Sequence, residues 1–170
     1  RRVPDMERNA YEAAMRQAGY PAFQITEQNA QGQLVRAAAR QEYVAVTYIE
    51  PSAGNESALG YDVASETDRL IALHSARDTG TPRATGRLML VQETSQQFGL
   101  LIFLPLYSPG LPPDTVEARR QHLQGYVTGV FRIGDMMEAS LRTFGRDSLR
   151  LQLEDEMAPV GERLLYSHQW

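Results

Sequence analysis

Cysteine is absent from the 170 residues, which excludes a disulfide framework, a thiolate zinc site and a cysteine nucleophile. Lysine is absent too, all 17 basic residues being arginine. That removes the amine of a Schiff base and the phosphate-binding lysine of a P-loop. Only three histidines occur, His74, His122 and His168. No two of them share a helical turn, so a metal site would need scattered ligands and no metal is expected. Long apolar runs are missing as well. The most apolar stretch, residues 100–106 (LLIFLPL), is far short of the ~20 residues of a spanning helix. No signal-peptide pattern opens the chain, and the stretch is expected to be a soluble piece of something larger.

What is present describes an ordinary folded domain. The chain is 42% hydrophobic and 22% charged, a globular balance. Its net charge of -4 leaves no basic footprint for nucleic acid. Helix formers at residues 6–18, closed by Gly19, predict an N-terminal helix within residues 1–19. Residues 43–49 (YVAVTYI) read as a strand, and the turn cluster at 51–55 breaks it. A second helix runs to Gly80, ahead of Pro82. Residues 87–92 and 98–107 predict neighbouring strands joined through 93–97, a length that favours an antiparallel hairpin. A Pro-rich loop at 109–114 precedes a polar segment at 116–124. Then follow a strand at 126–133, a helix at 136–142 closed by Gly145, and strands at 148–153 and 163–166. Short links between strands argue for an α+β domain rather than a doubly wound sheet.

No catalytic set emerges. Gly60, Gly80 and Gly86 are too dispersed for a phosphate cradle. There is no G-x-S-x-G elbow. Asp62, Ser65 and His74 could be assembled into a triad on paper, but Ser65 with Asp68 is better explained as a helix cap. His74, four residues after Leu70, reads as a partly exposed helix residue. Arg119, Arg120 and Arg132 read as a solvated face. Asp62 itself admits several readings: a turn residue bonding its own backbone two residues on, a catalytic group, or a ligand acceptor. The ligand reading needs a hollow beside it. The strand at 100–107 offers two faces, one with Leu100, Ile102, Leu104 and Leu106, the other with Leu101, Phe103, Pro105 and Tyr107. Such an apolar wall fits a pocket and equally a sheet beneath a helix.

Residues 42–69 (EYVAVTYIEPSAGNESALGYDVASETDR), 76–80 (ARDTG) and 98–107 (FGLLIFLPLY) together resemble the CHASE domain, an extracytoplasmic sensor module of receptors. Residues 1–27 (RRVPDMERNAYEAAMRQAGYPAFQITE) and 125–133 (GYVTGVFRI) fit the same pattern. The resemblance runs over roughly residues 1–145. It implies a long N-terminal helix (1–19), a first, membrane-distal PAS-like module (20–133) and a second, membrane-proximal PAS-like part (134–170), all of antiparallel sheet. It further implies a non-catalytic ligand sensor, periplasmic or extracellular, in a membrane-anchored receptor. The output would be a histidine kinase or a diguanylate cyclase or phosphodiesterase.

By that resemblance Asp62 accepts hydrogen bonds from ligand N–H donors and Ala84 makes a backbone contact. Leu88, Leu101, Phe103 and Tyr107 form walls and Thr85 reaches a polar edge. Phe103 stands where plant members, the cytokinin receptors, have a threonine. A lost hydroxyl and an added ring should make the cavity smaller and less polar, and a missing hydrogen-bond partner can reject a ligand strongly. The expected guest is therefore an unidentified small molecule, such as a nitrogen heterocycle, rather than cytokinin. No cofactor is expected, and a homodimer through the N-terminal helix is. The competing reading is a protein-interaction or dimerisation module with a filled pocket. A hydrolase would need His74 beside a nucleophile.

Overall fold

A computed structural model describes residues 1–88, 98–110, 114–142, 150–156 and 158–168. The expected hairpin link at 93–97, the strand residues beyond Leu88, residues 111–113 of the Pro-rich loop, the Gly145 stop and the start of the strand at 148 lie outside the described residues. The described chain is an α+β arrangement of helices with small antiparallel sheets. Its elements run β1 (Arg2–Pro4), α1 (Arg8–Gln17), β2 (Thr26–Gln28), β3 (Leu34–Arg36), β4 (Glu42–Val44), α2 (Thr67–Thr79), β5 (Arg83–Ala84), β6 (Gly99–Tyr107), α3 (Val116–His122), β7 (Leu123–Arg132), α4 (Ile133–Leu141), β8 (Leu151–Glu154) and β9 (Leu164–His168). They form two compact units, residues 1–83 with 103–127, and residues 84–102 with 128–170.

In the first unit the N-terminal helix is ten residues long and does not fill residues 1–19. The reason lies at the start of the chain. β1 pairs antiparallel with β4, Val3 opposite Tyr43, and Asp5–Glu7 form a 3-10 turn before α1 begins. The helix then buries Tyr11 and Met15 in a core with Val3, Phe23, Ile25, Ala37, Tyr43 and Ala45. Tyr11 meets the edge of Phe23 at a ring separation of 5.6 Å.

One turn of α1 away, the same core takes in two charges. Arg8 donates to Glu12 Oε1 at 3.1 Å, to the Ala37 carbonyl at 2.9 Å and to the Tyr43 hydroxyl at 2.9 Å. Glu12 also accepts from the Ile25 amide at 3.0 Å and from Arg36 at 3.1 Å. Burial opposes its ionisation, but the Ile25 amide, Arg8 and Arg36 outweigh that and hold the carboxyl below its ordinary range. With its polar atoms paired in this way, the buried ion pair is tolerable.

The predicted strand at 43–49 is shorter than its composition suggests, ending at Val44. Beyond it the backbone pairs with a turn instead of a strand: Ala45 bridges Asp62, and the Val46 amide donates to the Tyr61 carbonyl at 3.0 Å. That turn has a tight entrance. Gly60 has φ +84°, and a Cβ there would stand 2.5 Å from the Gln24 carbonyl oxygen.

α2 ends as the sequence requires, with Gly80 in the left-handed region at φ +70° and its amide on the Ala76 carbonyl. Its start differs. Glu66 occupies the cap position without a side-chain cap bond, while Ser65 turns back to the Tyr61 hydroxyl at 3.3 Å. The segment at 116–124 contains α3, capped by Thr115 Oγ1 accepting from the Ala118 amide at 3.2 Å. Strong Arg and polar content without an apolar stripe had left no periodic signal for it.

β5, β6 and β7 are adjacent in that order. Along β6 the Leu101, Phe103 and Pro105 face is buried, whereas Leu104 and Leu106 are exposed, so the aromatic face is the inward one. In the second unit Leu101, Ile133 and Leu141 are buried. There β8 and β9 form an antiparallel pair, Leu153 opposite Tyr166.

Candidate functional site

The turn that follows Gly60 places Asp62 at the centre of the first unit. Its side chain is 0% exposed, and three donors converge on its two oxygens. Oδ1 accepts from the Val44 amide at 2.8 Å and from the Ala64 amide at 3.1 Å. Oδ2 accepts from Arg40 Nη1 at 2.9 Å. The Ala64 bond is the Asx-type turn contact two residues on, and it caps the 3-10 turn Val63–Ser65. The Val44 bond ties that turn to β4. Burial pushes the Asp62 carboxyl up, against the Val44 amide, Arg40 and the Ala64 amide. With three donors on two oxygens, the geometry serves the carboxylate form.

Arg40 had no signal in the sequence. It sits in the Gln- and Ala-rich stretch before β4, and its partners are remote in the chain. Nη1 holds Asp62 and Nη2 holds Glu27, and its guanidinium lies 5.8 Å from the Tyr43 ring centroid. The side chain is 29% exposed, so it joins a buried carboxylate to the solvent side of the unit.

Beside this pair lies a cavity of about 130 Å³, lined by Arg40, Glu42, Val44, Ala64, Leu70, Leu73, His74 and Tyr126. β4 provides one wall, the turn after Asp62 a second, and α2 a third through Leu70, Leu73 and His74 at helical spacing. Tyr126, from β7, fixes its ring to α2 by donating its hydroxyl to the Leu73 carbonyl at 3.0 Å. Burial pushes that phenol well above its ordinary value. Partial desolvation, followed by Arg77, lowers the His74 imidazole, so the neutral ring prevails at neutral pH. Glu42 is held at one oxygen by Arg2 Nε at 2.7 Å.

The seven residues expected to bind a ligand fall in different places, and none is among the cavity's lining residues. Asp62 stands one layer behind it, connected through Arg40, Val44 and Ala64. Phe103 is 0% exposed and packs edge-on against Tyr126 at a ring separation of 6.0 Å. Tyr107 donates its hydroxyl to the Arg77 carbonyl at 2.6 Å. Ala84, Thr85, Leu88 and Leu101 belong to the second unit. There Thr85 Oγ1 accepts from the Leu101 amide at 3.0 Å and the Thr85 amide donates to the Leu101 carbonyl at 2.9 Å. Leu88 pairs with Gly99, and Ala84 is exposed. Among the described residues no group of three or more His, Asp or Glu could hold a metal ion, and no helix is long and apolar enough to cross a membrane.

Residues 1–166 match the CHASE domain. A relative, the hybrid signal transduction histidine kinase A of Dictyostelium discoideum, is 34% identical over 140 residues, covering 78% of this chain and 6% of that protein. The chain therefore spans a small fraction of its relative's length. The match over nearly all its residues settles the family: the chain belongs to the CHASE domain family.

Proposed function

We propose that this domain is an extracytoplasmic ligand sensor of a longer, membrane-anchored signalling receptor, in which the first unit takes up a small nitrogen-bearing molecule and occupancy rather than reaction carries the message. The observation that carries the reading is the cavity beside the Arg40–Asp62 pair. It joins an apolar wall, made by Val44, Leu70 and Leu73, to a few convergent polar groups, the usual make-up of a small-molecule site. In this reading residues 20–133 form the first PAS-like module and residues 134–170 the second PAS-like part. The relative's name, a histidine kinase, supports a kinase as the output.

Asp62 serves the site through Arg40. A ligand N–H that competes for Oδ2 displaces a guanidinium which keeps its second carboxylate, Glu27. The displacement changes how β4 and the turn after Gly60 are held, because Asp62 anchors both. A ligand moves such an equilibrium only through its difference in affinity for the two arrangements. Phe103 enters through the Tyr126 ring it packs against, and a larger side chain at that strand position limits the cavity from behind.

A thermal-shift screen of the domain against nitrogen compounds of up to about ten heavy atoms tests the reading, since bound ligand raises the melting temperature by mass action. Hits should lose their shift in Ala64→Phe, which places a ring in the cavity, and the same substitution in the intact receptor should abolish its ligand response. Hits that survive Ala64→Phe unchanged would move the site elsewhere, and a screen without hits would contradict the proposal.

A further inference from the structure

The cavity beside the Arg40–Asp62 pair carries open groups of both signs. Arg40 gives one N–H to Asp62 and one to Glu27. A guanidinium has five, so three remain to offer. Glu42 accepts from Arg2 at Oε2, and among the described residues no donor reaches its Oε1. Only Gln41 separates Arg40 from Glu42 in the chain, and both line the cavity. His74 makes no hydrogen bond among the described residues, and its neutral imidazole adds one donor and one acceptor. The Tyr126 hydroxyl gives its proton to the Leu73 carbonyl, so its oxygen accepts.

The surrounding charges cancel over the whole and separate locally. Three carboxylates, Asp62, Glu27 and Glu42, face two guanidiniums, Arg40 and Arg2. Beside His74, two guanidiniums, Arg77 and Arg120, share the carboxylate of Asp78. No net charge is left to select a pure cation or a pure anion. A guest with a single charge satisfies either Arg40 or Glu42 and takes water from the other without replacing it. A fully buried group would carry that cost in full; these side chains, 29% and 33% exposed, carry part of it. A guest with one charge of each sign avoids it.

Size adds a second constraint. A cavity of about 130 Å³ is slightly smaller than one of ~150 Å³ that accepts benzene. A guest of about six heavy atoms fills it, whereas a substituted purine does not enter without rearrangement. The walls away from the polar groups are aliphatic, from Val44, Leu70 and Leu73.

Resting on the reading of this cavity as the sensor site, we propose that its ligand is a compact zwitterion: an α-amino acid with a short aliphatic side chain, of about the size of alanine. The carboxylate accepts from the free N–H groups of Arg40. The ammonium donates to Glu42 Oε1 and to the acceptor nitrogen of His74. The side chain lies against Val44, Leu70 and Leu73. Either charge alone would leave Arg40 or Glu42 without a partner under the guest.

Four probes of matched shape separate the possibilities: L-alanine, 2-methylpropanoate, protonated 3-methylbutan-2-amine and 3-methylbutan-2-ol, each titrated into the domain by calorimetry and by amide NMR. They present both charges, the negative one, the positive one and neither. Alanine should bind at least tenfold more tightly than any other probe and shift the Val44, Ala64 and Leu73 amides. Glu42→Gln should weaken alanine at least tenfold while leaving 2-methylpropanoate and the alcohol unchanged, which checks that the cavity is intact. If a probe with one charge or none binds as tightly as alanine, the zwitterion assignment is overturned while the cavity stands as a binding site. Alanine binding that is indifferent to Glu42→Gln overturns the assignment as well. If none of the four moves those amides, the cavity reading fails with it.

Discussion

Asp62→Asn isolates the charge of the carboxylate that anchors the first unit. The substitution keeps shape and leaves one oxygen for the Val44 and Ala64 amides, now 2.8 and 3.1 Å from Oδ1. Its new amide nitrogen faces Arg40 Nη1 across the former 2.9 Å bond, donor against donor. A hydrogen bond to a charged group contributes about 1.5–3 kcal/mol. Removing one partner of a buried ion pair costs about 3–5 kcal/mol when the other is left without compensation. Arg40 is not so left, because it keeps Glu27 and some solvent contact. The loss should therefore be about 2–3 kcal/mol, a large part of the roughly 5–15 kcal/mol that holds a domain together. Asp62→Ala should cost about 2 kcal/mol more, since two interior amides lose their acceptor. Urea unfolding measures both as shifts in midpoint at constant slope. A loss below about 0.5 kcal/mol for the asparagine variant, or no further loss for alanine, would show that the three donors do not depend on Asp62 as the geometry requires.

Other substitutions test the surrounding construction. Gly60→Ala should destabilise by about 2–4 kcal/mol, combining a left-handed backbone with overlap on the Gln24 carbonyl. Gly54→Ala, at φ +81° but with open space around it, should lose only the backbone part, about 1 kcal/mol; equal midpoint shifts in chemical denaturation would refute the close approach at Gly60. Glu12→Gln should cost about 3 kcal/mol or more, because it removes the charge between Arg8 and Arg36 inside the core; a calorimetric melting point close to that of the parent would count against the pairing. Asp78 is held far below its ordinary value by hydrogen bonds from Arg120 and Arg77. A depressed carboxyl contributes stability that is present above its unfolded value of 3.8 and lost as pH falls through the lower folded one. Asp78→Asn should therefore flatten the acid limb of stability against pH, and added salt should shrink the difference because Arg120 is exposed; an unchanged acid limb would contradict the assignment.

Legibility followed the range of the interactions. The end of α2 could be read from Gly80 and Pro82, because a left-handed cap is a local requirement. The inward face of β6 was visible as an alternation, although composition alone did not say which face would be covered. Asp62 could be placed at a turn, and its bond to the Ala64 amide is the local contact expected there. What escaped was the partner. Arg40 meets Asp62 22 positions away and Glu27 13 positions away, through a segment without periodicity. The cavity was hidden for the same reason, since its lining comes from β4, a turn, α2 and β7 together. The early strand was overestimated because β-branched residues at 46–49 mark burial and pairing, and the pairing was with the turn at Tyr61 rather than with another strand. The N-terminal helix was overestimated because good helix formers do not reveal that Arg2–Pro4 pair with β4. Ser65 looked like a cap by spacing, yet the Tyr61 hydroxyl claimed it.

The most direct test of the account is an amide NMR titration of the domain with a panel of small nitrogen compounds, followed at Val44, Ala64, Leu70 and Leu73. The account predicts saturable shifts at these four positions that vanish in Ala64→Phe. Saturable binding that leaves all four unmoved would contradict it.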